Sequence, residues 1–201
     1  MLAGFWRGEK IKLTTLARYA KTPKTGNFKL LMMEPQPRQI FVSHCSSSRQ
    51  LAEEFQRLAR RYPLKRDEPI PNVFLSSDPF SIASGEPWME AVLRNLNSCT
   101  DFVALITDRK DWKTTWIPFE IGYFMGRIEH SERPDGIVKR PQVFVFHNLM
   151  NSVSWPLSGL HLIDTNDSFR VQRALLDMHI GPWDGKCIDE FTTLFKRTCK
   201  S

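Results

Sequence analysis

The residues best placed to do chemistry gather where short apolar runs end. Four such ends read Ser43-His44-Cys45, Ser76-Ser77-Asp78, Thr107-Asp108 and His147-Asn148, and they offer hydroxyls, imidazoles, a thiol and carboxylates. One further acid, Glu120, lies in Trp116-Ile117-Pro118-Phe119-Glu120, in the first turns of a helical segment. It is four residues from Trp116, so the two share a helix face. A carboxylate in that place either reaches the neighbouring strand ends or serves only the electrostatics of the helix N-terminus. Spacing leaves both open.

Several familiar chemistries are excluded. There is no G-x-x-x-x-G-K-[ST] phosphate loop, no G-x-G-x-x-G after the first strand and no G-x-S-x-G nucleophile turn. A phosphoryl-accepting receiver needs paired acids after its first strand, where this chain has Ser43-His44-Cys45. The four cysteines and five histidines are scattered and form no C-x-x-C pair, so no metal site is expected.

The segments that must position these groups alternate in type. Short apolar runs predict strands over 39–43, 73–75, 101–107, 142–146 and 161–164. Between them, helical spacing appears over 49–62 (Leu51, Phe55, Leu58, Tyr62), over 87–96 (Trp88, Val92, Leu96) and over 115–128. Two more helices are expected over 169–178 and 188–197. A serine cluster, Ser46 to Ser48, is suited to cap the first helix, and Pro87 suits a first helical turn. Apolar strands separated by helices imply a parallel sheet covered on both faces, an α/β flavodoxin-like doubly wound fold of about five strands. Ligands of such sheets bind beyond the carboxyl ends of the strands.

Composition agrees with a folded domain: of 201 residues, 41% are hydrophobic and 25% charged. No apolar run approaches the roughly 20 residues of a membrane span, and the first thirty residues contain no signal-like apolar stretch. The net charge of +6 is local. Residues 1–30 hold seven Lys/Arg against one acid, Glu9, while the remaining 21 basic and 21 acidic residues cancel. The expected organisation is therefore a basic N-terminal extension over 1–37, ending in Glu34-Pro35-Gln36-Pro37, and one domain over 38–201. A tail charge of this kind does not make the domain a nucleic-acid binder. Four widely spaced cysteines with no C-x-x-C pair point to free thiols in a reducing, cytoplasmic setting.

The strand and helix residues also match a family. Ile40-Phe41-Val42-Ser43-His44 resembles the first strand of Toll/interleukin-1 receptor (TIR) domains. Val73-Phe74-Leu75-Ser76-Ser77-Asp78 and then Ile82-Ala83-Ser84-Gly85-Glu86-Pro87-Trp88 resemble its second strand, BB loop and following helix. Asp101-Phe102-Val103-Ala104-Leu105-Ile106-Thr107 resembles the third strand, and Trp116 with Glu120-Ile121-Gly122 the segment after it. The blocks occur in the family's order and cover residues 38–164, about two-thirds of the chain. The chain departs from the pattern after the first strand, where His44-Cys45-Ser46-Ser47-Ser48 replaces an acid-rich stretch.

The resemblance implies an NAD+ glycohydrolase or ADP-ribosyl cyclase with Glu120 as its catalytic residue. NAD+ is then the substrate, and no cofactor is needed. The compact layout is similar to bacterial antiphage proteins of the Thoeris kind, whose cyclic or modified ADP-ribose product activates a separate effector protein. Phe41, Ser43, His44, Ser77, Asp78, Gly85 and Trp116 are the candidate substrate-binding residues. Each has a structural alternative: Trp116 and Phe41 as core, Ser43, Ser77 and Asp78 as turn formers, His44 as an ordinary strand-end histidine, Gly85 as backbone freedom. Arg49 and Arg109 are candidates for pyrophosphate. A second class of function is an assembly module that self-associates through the loop bearing Phe80 and Ile82. A third is a nucleoside deoxyribosyltransferase-like enzyme, which also uses a glutamate.

Overall fold

Five parallel strands form one sheet in a computed structural model of the chain: β1 (Gln39–His44), β2 (Asn72–Leu75), β3 (Asp101–Ile106), β4 (Gln142–His147) and β5 (His161–Asp164). The structure describes residues 37–61, 69–76, 82, 84–112, 116–130, 142–148, 160–181 and 183–199, all within one unit spanning Glu34–Ser201. The basic extension lies outside them, apart from Pro37 at its end. Strand order is β2-β1-β3-β4-β5, the doubly wound flavodoxin-like order whose direction of winding reverses between β1 and β3.

Among the described residues five α-helices cover the sheet: α1 (Arg49–Arg61), α2 (Trp88–Ser98), α3 (Trp116–His130), α4 (Ser168–Asp177) and α5 (Gly185–Thr198). Leu51, Phe55 and Leu58 recur at helical spacing and bury one side of α1, as the sequence pattern predicts. Asp167 and Asp184 cap α4 and α5 by accepting from backbone N–H groups. Pro118 sits in the first turn of α3, where a missing N–H costs nothing.

Because side chains alternate along a strand, the sheet divides its residues between two cores. Ile40, Val42, Val103, Leu105, Phe144 and Phe146 pack with α1, α4 and α5, where the rings of Phe55, Trp183 and Phe191 meet with centroids 5.5–6.1 Å apart. Phe41, Phe74, Phe102, Ala104 and Val145 belong to the other core, with residues of α2 and α3. On this second face the register places Phe74, Phe41 and Phe102 side by side, with centroids 5.3 and 5.5 Å apart. One row further toward the carboxyl ends, Ser43 pairs with Ala104 and Ala104 with Val145. Small side chains there leave room for a group from α3.

Candidate active site

Glu120 is the group from α3 that enters this second face. Its carboxyl is fully buried, and Ser43 Oγ donates a hydrogen bond to Oε2. The other oxygen, Oε1, has no hydrogen-bond partner. The Trp116 indole N–H lies near enough to favour the anion but does not meet hydrogen-bond geometry, and Nε1 is itself buried and unpartnered. Among the described residues no cation pairs with the carboxyl. Burial therefore dominates and pushes its pKa from an ordinary 4.5 up to about 8, against the opposing pull of Ser43 and Trp116. This carboxyl is largely neutral at pH 7 and lies where the winding reverses between β1 and β3, and a buried acid so perturbed at such a place is a candidate for chemistry.

A cavity of about 480 Å³ opens at the carboxyl ends of β1, β2 and β3, and its walls include His44, Ser46, Ser76, Trp88, Asp111 and Trp116. That volume is within the range of small-ligand sites. The Trp88 and Trp116 rings meet with centroids 4.3 Å apart, and Trp88 Nε1 donates to the Ser76 carbonyl at 3.1 Å. A larger groove of about 800 Å³ runs between α1 and α5. It is lined by solvated charges such as Glu54, Lys186, Asp189 and Arg197, includes no unpartnered buried polar atom and lies away from the strand ends. The smaller cavity is the better candidate.

A buried polar network braces its rim. Asp111 Oδ2 accepts from Thr107 N (2.8 Å), Thr107 Oγ1 (3.1 Å) and Asp108 N (2.9 Å). Thr107 Oγ1 meets Ser48 Oγ at 2.8 Å. The serine cluster thus forms a 3₁₀ turn without a side-chain cap, and the Ser48 hydroxyl ties the β1–α1 turn to the loop after β3 instead.

The structure brings Ser43, Glu120 and Trp116 together and puts His44 in the cavity wall, 3% exposed, with Nδ1 3.4 Å from the Val42 carbonyl. Phe41 is one row below, sandwiched between Phe74 and Phe102, and, like the buried Ser43 and Glu120, does not itself line the cavity, whose wall nearest them is Trp116, Ile117 and Ser76. Gly85 adopts φ +87°, a conformation that suits glycine, and Arg49 is engaged with Glu53 at 2.8 Å. Ser77, Asp78, Phe80 and the Arg109 side chain lie outside the described residues; Ile82 is half-buried. Trp88 differs from expectation: Val92 and Leu96 are buried but its ring is 41% exposed, because α2 starts at Trp88 and the indole turns to Trp116. Ser76 and Asp111 are contributors that the sequence reading did not select as site residues. Strand alternation points to Ser76 once the register of β2 is known.

No family model, no curated protein and no solved structure matches this chain.

Proposed function

We propose that the chain is a TIR-type NAD+ glycohydrolase or ADP-ribosyl cyclase that cleaves the nicotinamide–ribose bond. The observation that carries this reading is the buried Glu120 carboxyl, bonded on one side to Ser43 and unanswered on the other, at the switch point of the sheet. Nicotinamide in NAD+ is already cationic and leaves without a general acid. As the C1′–N bond breaks, its electron pair departs with neutral nicotinamide and positive charge develops on the ribose. The Glu120 carboxylate stabilises that charge from the water-poor floor of the site. Water adding to C1′ and losing a proton gives ADP-ribose; an adenine nitrogen or a ribose hydroxyl adding there gives a cyclic isomer. Arrival of the cationic ring lowers the carboxyl pKa, so binding releases a proton. In this reading the product is a cytoplasmic signal in antiphage defence, recognised by a separate effector protein.

The test is incubation of the protein with NAD+ at low and high protein concentration, beside Glu120→Ala, with products identified by mass spectrometry. Loss of NAD+ in the parent and not in the variant supports the enzyme. No turnover at either concentration, or equal turnover in the variant, removes Glu120 as the catalytic residue. A second reading, a non-catalytic assembly module, draws on the exposed Trp88, Met89 and Phe119 at the starts of α2 and α3. It predicts concentration-dependent self-association without NAD+ loss. Among the described residues no helix is long and apolar enough to cross a membrane.

A further inference from the structure

Of the five unpartnered buried polar atoms among the described residues, Trp116 Nε1 and Ser76 Oγ belong to residues that line this cavity, and Glu120 Oε1 belongs to the carboxyl held by Ser43 behind it. Native structures rarely leave such atoms without cause. Ser76 is 1% exposed and follows β2 directly, its N–H continuing the parallel ladder to the Val42 carbonyl at 3.1 Å. Since Phe74 pairs with Phe41, alternation places Ser76 beside Ser43 on the same face, one strand spacing of about 4.8 Å away. Ser43 is the residue bonded to Glu120, and Ser76 also lines the cavity.

We propose that Ser76 is a substrate-contact residue, holding a hydroxyl of the nicotinamide-bearing ribose while Glu120 takes its neighbour. This rests on the NAD+ reading above. The chemistry of the three atoms selects the ligand class. Trp116 Nε1 only donates, Glu120 only accepts once the arriving cation has ionised it, and Ser76 Oγ does either. A phosphodiester offers acceptors alone and its negative charge opposes ionisation of Glu120, so it does not call the carboxylate into use; an apolar ligand leaves all three unanswered. A sugar diol, whose hydroxyls both donate and accept, can satisfy the set. The Trp88 indole shares the cavity wall with Ser76; it is 41% exposed and donates to the Ser76 carbonyl.

The experiment is calorimetric binding to the full chain carrying Glu120→Gln, which blocks turnover, with and without Ser76→Ala. The probes are NAD+ and its analogues lacking the 2′- or the 3′-hydroxyl of the nicotinamide ribose. Ser76→Ala is expected to weaken NAD+ binding about tenfold, a neutral hydrogen bond's worth. One deoxy analogue should bind the parent about tenfold more weakly than NAD+ and lose nothing further on Ser76→Ala. Thermal stability should hold or rise slightly, because Ser76 Oγ has no partner to lose. Equal NAD+ affinity with and without Ser76→Ala overturns the role of Ser76 and leaves the NAD+ reading standing. So does a further tenfold loss with both deoxy analogues, which marks Ser76 as structural. Failure of both the unsubstituted chain and the Glu120→Gln chain to bind NAD+ overturns that reading and the role of Ser76 together.

Discussion

At the amino ends of the strands, Asp101 is 2% exposed, and its Oδ2 receives both the Arg38 guanidinium and Thr100 Oγ1, the latter at 2.9 Å. At the carboxyl ends, Glu120 is more deeply buried and receives only Ser43, with one oxygen bare. Asp111 sits close to that cavity, yet three donors satisfy it. The same fold therefore supplies partners to a buried acid where it needs rigidity. Among the described buried acids it withholds them from Glu120, where the ladder rows turn from Phe74–Phe41–Phe102 to Ser43–Ala104. An uncompensated buried carboxyl destabilises a protein. On the function proposed above, its place at the end of the sheet where ligands of such folds bind is what separates a site from a strut.

The largest effects should come from Glu120→Gln, and they should have opposite signs. Turnover of NAD+ should fall about 10³-fold or more, the scale seen when a charge-stabilising group is removed. Stability should rise relative to the parent at pH 8. The direction follows from linkage: the folded pKa of about 8 lies above the ordinary 4.5, so the native state holds a proton that the unfolded chain releases between those values. The parent's stability is complete below about pH 4.5 and declines as pH rises to about 8, by an amount on the order of 5 kcal/mol at most. Urea midpoints measured from pH 4 to 9 should show the gap between parent and variant widening across that window and flat beyond it. Parallel curves would place the proton elsewhere. If the carboxylate is the active form, kcat/KM of the parent rises through the same upper limit.

Arg38→Ala should behave in the contrary way at the other end. Removing the cation takes the Arg38 guanidinium from the buried Asp101 carboxylate, at a cost of up to about 3 kcal/mol, read as a lower urea midpoint. Turnover per folded molecule should not change, because neither residue touches the cavity. A drop in turnover without loss of stability would break the division between the two ends.

Much of this division is legible in the sequence. The five strands and five helices follow from apolar runs and helical spacing, and the closeness of Glu120 to the crevice follows from its early place in α3. What is not legible depends on phase and register. Ser76, Ser77 and Asp78 are equivalent in a list of strand-end groups. Only the pairing of Phe74 with Phe41 shows that Ser76 shares a face with Ser43. Phe41 reads equally as core or pocket until Phe74 and Phe102 are seen to enclose it. Trp88 fits the buried period of α2, but as the first residue of that helix it has no preceding turn to pack under, so the indole meets Trp116 instead.

The smallest effect should come from Ser48→Ala. Thr107 Oγ1 donates to Asp111 Oδ2, which makes Ser48 the donor in the 2.8 Å contact between the two hydroxyls. Removing Ser48 Oγ breaks one neutral hydrogen bond and leaves Thr107 and Asp111 joined, so the loss should be about 1 kcal/mol. Thr107→Val removes both hydroxyl bonds while Asp111 keeps the backbone donors of Thr107 and Asp108, so its loss should be greater than that of Ser48→Ala. Both variants loosen the tie between the β1–α1 turn and the loop after β3, whose residues Ser46 and Asp108 face the cavity. KM for NAD+ should rise severalfold while kcat changes little. The slope of stability against pH between 4.5 and 8 should match the parent, since Glu120 and Ser43 are untouched. A changed slope would mean that this network reaches the Glu120 carboxyl after all, and that the braced rim and the unanswered acid act as one unit.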